Sequence, residues 1–320
     1  MSERLDLSHY LQHRQLDAYE QSMARQGYAY GVDLRRSRWL ASSTLGNPMM
    51  RAVDRYWPEL AEHLMAEAFL DGSGGSGQSH DGKVPSALLQ EIARHMVLLR
   101  APLPTLRVLR PQQRGRWPLV TALGATRGSA LWLVLDVPAL QALPADRRAF
   151  LLGSGLGHLH CEHAGFFTAH LMASRREGSA GIRGLRSILG PWTKVMIFSA
   201  DRAGLLCCGN LDTALELIAN PPVPVGEGSG EGGPDWMPPL PDVVLREQAL
   251  REFAQSAIFA KVQATRARQA QLLREITMES SSGPSSGKPG AAEAGPIHVP
   301  ADAWSLARVD ARLTRRLALL

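Results

Sequence analysis

The sequence predicts an α+β fold that is mainly helical, with a small sheet, N-terminal helices and a C-terminal helical appendage. Three observations carry that expectation. Apolar residues recur at helical spacing near both ends of the chain. Two short apolar runs, Thr105–Leu109 and Leu131–Leu135, read as strands. Gly-, Pro- and Ser-rich stretches set off a continuous central core. With 320 residues and 45% hydrophobic content, the chain can bury one good-sized core plus appendages.

Residues 1–71 form the N-terminal helical region, with Tyr10, Tyr19, Tyr28, Tyr30 and Trp39 spaced along it and a helix continuing from Arg51 through Leu70. Residues 72–83 read as a flexible linker because of the run Gly72 to Gly77. That run is no phosphate loop, since Gly-Lys-Ser/Thr does not follow it. The core spans 84–220, and a Gly/Pro loop occupies 221–242. Residues 243–276 read as one long amphipathic helix. Its apolar seam is Leu250, Phe253, Ala257, Ala260, Ala264 and Ala267. Arg246, Arg251, Lys261, Arg266, Arg268 and Arg274 stand around that seam as a solvated basic face. The seam is expected to pack back onto the core, with self-association through the 243–276 helix as the alternative. Residues 277–299 read as a disordered linker, and 300–320 as a C-terminal amphipathic helix with Trp304, Leu306, Val309 and Leu313 on one side.

Composition narrows the function classes. Three cysteines make no disulfide framework, and the chain opens without an apolar signal core, which together point to the cytoplasm. No stretch of eighteen apolar residues exists to span a membrane. The net charge of +5 comes from scattered arginines without a nucleic-acid-binding module, so no nucleic-acid partner is expected.

The chemistry-bearing stretch is Gly153-Ser154-Gly155-Leu156-Gly157-His158-Leu159-His160-Cys161-Glu162-His163. Zincin metallopeptidases carry His-Glu-x-x-His on a helix, with two imidazoles facing one metal and a Glu that activates the bound water. Here Ser154 stands at the first His and Gly155 at the Glu, while His158 is retained. The later stretch Ile197-Phe198-Ser199-Ala200-Asp201-Arg202-Ala203-Gly204 supplies a second motif. On both motifs, the region of about 84 to 220 resembles the HtpX-type zinc metallopeptidases, a zincin family that includes the CAAX prenyl proteases. Leu156, Gly157, His158 and His163 match the first motif, and Ala200, Asp201, Arg202 and Gly204 the second. Ile197 occupies the place of the metal-binding Glu. The strands, the approach Leu140–Asp146 and the helix from Asn210 to Leu215 match their surroundings as well.

The resemblance implies a zincin-like fold with a broken site. Carry-over leaves His158 as the one donor, because neutral Ser is a poor zinc ligand and Ile has no donor atom. Gly155 removes the general base. Neither metal nor other cofactor is expected, and His158 is expected to be a core histidine hydrogen-bonded to Asp201. Ser154 and Gly155 are expected to leave a small pocket where metal and water would sit. The leading functional expectation is a pseudoenzyme: a soluble, catalytically inactive module that binds a protein or peptide partner. One alternative is a zinc metalloendopeptidase with a rewired site built from His158, Glu162, His163 and Asp201 or the cysteines Cys161, Cys207 and Cys208. A second is a structural subunit associating through 243–276. A dinucleotide fingerprint starting at Gly153 is weak, since His158 replaces its third glycine and helix precedes it. The three glycines weaken a helix by about 1 kcal/mol each relative to alanine. Cys207 and Cys208 read as buried, inert helix residues, while the role of Cys161 is left open.

Overall fold

A computed structural model describes residues 7–44, 46–72, 83–125, 131–175, 180–222, 236–238, 240–281 and 299–317. Most of the linkers expected at 72–83, 221–242 and 277–299 lie outside these residues. The chain divides into two compact units, Met1–Leu250 and Arg251–Leu320.

The first unit is mainly helical around a four-stranded mixed sheet. Helices α1 (Leu7–Tyr28), α2 (Gly31–Ser42) and α3 (Gly46–Glu67) open it, followed by strand β1 (Phe69–Asp71) and helix α4 (Ser86–Leu99). Strands β2 (Thr105–Leu109), β3 (Val120–Leu123) and β4 (Trp132–Leu135) follow, then helices α5 (Val137–Ala142), α6 (Ala145–His160), α7 (Ala164–Arg175), α8 (Ala180–Cys208) and α9 (Leu211–Ala219). Sheet order is β1-β2-β4-β3, with β2 and β4 parallel and both edge strands antiparallel to their neighbours.

Strand β1 corrects the expectation of helix through Leu70. Pairing Phe69 with Leu109 puts both side chains in the aromatic core, and that long-range gain overrides local helical pattern. Strands β2 and β4 form where the sequence placed them. Every residue of β4 is buried, as its uninterrupted Trp-Leu-Val-Leu run requires of a strand covered on both faces. Trp132 and Val134 join Trp57, Phe69, Trp117, Phe167 and Trp236 in one cluster. Leu133 and, on β3, Val120 face the opposite way, toward α6. Thr168 of α7 ties down the end of β3, its hydroxyl donating to Gly124 O at 2.8 Å and accepting from Gly124 N at 3.0 Å.

Helix α6 therefore lies between the sheet and α8. Asn210 caps α9 by accepting from Asp212 N and Thr213 N. No helix among the described residues is long and apolar enough to cross a membrane.

The expected single helix over 243–276 is two helices, α10 (Val243–Ala254), which crosses the unit boundary, and α11 (Ala257–Ser281). In the second unit the break is held by Trp304. Its N–H donates to Gln255 O at 2.8 Å, and its carbonyl accepts from Ala257 N at 2.9 Å. Ser256 caps α11 by accepting from Phe259 N. The C-terminal helix α12 (Leu306–Arg316) buries Val309 and Leu313. Its Arg312 and Arg316 bind Glu252, and Arg308 and Arg312 stack on the Trp304 ring.

Candidate functional site

The motif helix α6 presents its glycines as contact points. A Cβ on Gly153 would meet Cys207 Cβ at 2.6 Å, and one on Gly157 would meet Ala203 Cβ at 2.5 Å. These two positions share a helix face and bring α6 against α8. On α8, Gly204 reciprocates: a Cβ there would lie 2.5 Å from Ser154 Oγ and 2.8 Å from Phe150 O. Gly155 points the other way, where a Cβ would meet Val120 Cγ1 at 2.4 Å and Leu133 Cδ1 at 3.1 Å. The helical weakness of the glycines is thus the condition for clamping α6 between two partners.

This packing corrects one expectation. Gly155 leaves no small pocket, because Val120 and Leu133 fill the space beside it. Ser154 Oγ is buried against α8 without a hydrogen-bond partner, and Ile197 is buried. Ser154 and Ile197, which the motif resemblance puts at metal-ligand positions, do not fit a zinc ion, since both are packed against neighbours and Ile197 has no donor atom.

Asp201 also behaves differently from the expectation that it bonds His158. Both its oxygens accept from Arg246 of α10, Nε at 2.9 Å and Nη2 at 2.8 Å. Arg246 is therefore no part of a solvated basic face. Its side chain is only 11% exposed, and although burial opposes its charge, Asp201 raises its pKa above the ordinary value. Arg202, on the same turn, lies fully buried, donating to Tyr28 O at 3.2 Å with its guanidinium over the Tyr30 ring. The second motif thus reads structurally: Ala200, Ala203 and Gly204 permit close approach, while Asp201 and Arg202 tie α8 to α10 and to the segment after α1.

Beyond Gly157 the helix becomes polar. Helix α6 ends in a Schellman motif, in which Glu162 N donates to Leu159 O and His163 N to His158 O. The left-handed residue is Glu162, with φ of 64°, where glycine is usual. Its side chain turns outward to Arg25, at 2.7 Å, and is 69% exposed. That turn puts His158 and His163 side by side, Nδ1 to Nδ1 at 3.0 Å. His163 Nε2 meets Asp33 Oδ2 of α2 at 3.0 Å, and Asp33 Oδ2 also accepts from Ser199 Oγ. Ser199 Oγ in turn accepts from Tyr30 N. A carboxylate can only accept, so His163 carries its proton on Nε2 and accepts at Nδ1 from His158. Burial holds His158 well below the usual histidine range, and the charge of Arg246 adds to the effect.

A second branch runs through Cys161 and His160. The Tyr28 hydroxyl lies 2.8 Å from His160 Nδ1, and His160 Nε2 lies 2.7 Å from Gln21 O. Burial lowers His160 to about 4 and raises Cys161 and Tyr28 well above their ordinary values.

Of the residues in the rewired zinc set, the fold brings His158 and His163 together. Glu162 faces Arg25 and Asp201 faces Arg246. Asp33, Ser199, Arg246 and Tyr28 were missed because each acts across a long stretch of chain. Cys207 is buried against Gly153, and Cys208 is half-buried. No family model matches this chain, and neither does a curated protein or a solved structure.

Proposed function

We propose that the chain is a catalytically inactive relative of the HtpX-type metallopeptidases that binds a protein or peptide partner. The observation that carries this reading is the contact at Gly155. The position that would hold the water-activating Glu is occupied by Val120 and Leu133, with no room even for a methyl group. The Arg246–Asp201 pair adds support, because a fixed guanidinium neutralises the acidic residue of the second motif.

Binding is assigned to the sheet edge. Strand β3 is an edge strand, runs antiparallel to β4 and lies directly against α6; Thr121, Ala122 and Leu123 are buried, so an added peptide has to displace what covers them. An extended peptide adds to such an edge through main-chain hydrogen bonds, with side-chain pockets setting preference. The reading stands on these sites, since a fold alone specifies no function.

The test incubates the full chain with a pool of extended peptides, with and without added zinc, and follows amide exchange in Val120–Leu123 alongside peptide masses. The account expects slower exchange in β3 with every peptide intact. Zinc-dependent cleavage would replace it with the peptidase reading, and unchanged β3 exchange would remove the binding role.

A further inference from the structure

Cys161 and His163 flank the left-handed residue Glu162, and that backbone reversal directs both side chains to one point beneath α2. Asp33 of α2 meets them there. One donor atom from each of Asp33, Cys161 and His163 lies within 4.8 Å of the other two, and all three residues are buried. We infer that Asp33, Cys161 and His163 form a structural site for a divalent transition metal, zinc being the natural occupant.

The donor set argues for the ion. Carboxylate, thiolate and imidazole together suit zinc, whereas calcium and magnesium take oxygen donors. The charges close as well: a 2+ ion with one carboxylate, one thiolate and a neutral imidazole sums to zero, which a dry interior tolerates.

The surroundings supply the orienting contacts that metal ligands need. Ser199 Oγ donates to Asp33, and the Tyr28 hydroxyl adjoins the Cys161 sulfur. His163 has His158 at its second nitrogen. On loading, His163 gives its Nε2 lone pair to the metal and donates from Nδ1 to His158 Nδ1. His158 then carries its proton on Nε2. Both rings stay neutral, and the Cys161 thiol releases one proton to solvent. The metal fixes the exit of α6 to the start of α2.

This site takes His163 and Cys161 from the groups considered for a rewired site and adds Asp33, which the sequence did not mark. It stands whether or not the chain binds peptides. The test loads the full-length chain with zinc and, separately, with cobalt after chelator treatment. The expected result is one metal per chain, a thiolate-to-cobalt charge-transfer band and about one proton released per ion, read from the buffer dependence of binding heat. X-ray absorption of the loaded wild type should give one sulfur neighbour at about 2.3 Å. Cys161→Ser should lose the band and the retained metal. His158→Ala, which removes the orienting contact and the ring packed on Phe167 but no ligand, should keep the band and weaken affinity about 10–100-fold. A folded wild type that retains no metal overturns the inference. So does retained metal with no sulfur neighbour, a reading that needs no variant to fold, or a band that persists in Cys161→Ser.

Discussion

The two halves of helix α6 follow opposite rules. From Phe150 to Gly157 it is dry, and three glycines let it touch α8 on one side and the sheet on the other. From His158 through the turn to His163 it is polar, and its groups pair with one another and with residues from α1 and α2. In the first half stability comes from closeness, so any added atom harms it. In the second it comes from complete pairing, so any lost partner harms it. The residue types that make the region resemble a peptidase lie in both halves, yet the half that would carry the reaction is the one sealed by packing.

The largest expected effect comes from breaking a buried ion pair beside that boundary. Arg246→Met should cost about 3–5 kcal/mol, because Asp201 is left charged and unpaired. Urea unfolding measures it, and adding Asp201→Leu to Arg246→Met should restore much of the loss. A single variant as stable as wild type would mean that Asp201 finds water or another partner.

Acid should strain the polar half selectively. With burial holding His160 at about 4, against an ordinary 6.5, the unfolded chain takes up a proton that the folded chain refuses as pH falls between those values. Stability should therefore decline from about pH 6.5 downward, by up to about 3 kcal/mol from this residue, and level off below about pH 4. His158 adds to the loss with the same sign. Urea midpoints across this range should fall in the wild type and fall less steeply in His160→Asn. Parallel slopes would remove His160 from the account.

A methyl group tests the dry half. Gly157→Ala should lower stability by about 1–3 kcal/mol, since Ala203 Cβ on the rigid α8 backbone cannot move aside. The smallest effect is at the turn. Glu162→Gly relieves a left-handed residue but loses the exposed pair with Arg25, so the net change should be a gain below about 1 kcal/mol. A loss of several kcal/mol would show that the Arg25 contact matters more than the backbone.

Much of the architecture was legible locally. Strands β2 and β4 are apolar runs, whereas helices at the places of α6, α8 and α9 are expected only from the motif resemblance. The break at Gln255–Ser256 was hidden by the continuous alanine seam, although Ser256 before an apolar run is a helix-start signal. Partners separated along the chain were not legible. Nothing near Asp33 marks it as the acceptor for His163, and Arg246 looks like any other helical base until Asp201 meets it. The glycines show why. Their pattern reads as loss of chemistry, but its cause is Val120 on one side and Ala203 and Cys207 on the other, none of them adjacent in sequence.

The most direct test of the central claim is the melting temperature of Gly155→Ala. In an α-helix with free space this change stabilises by about 1 kcal/mol. Contact with Val120 and Leu133 reverses the sign, so the account predicts a lower melting temperature than wild type. An unchanged or higher one would mean that α6 keeps open space beside Gly155, and the claim that packing has sealed that position would fail.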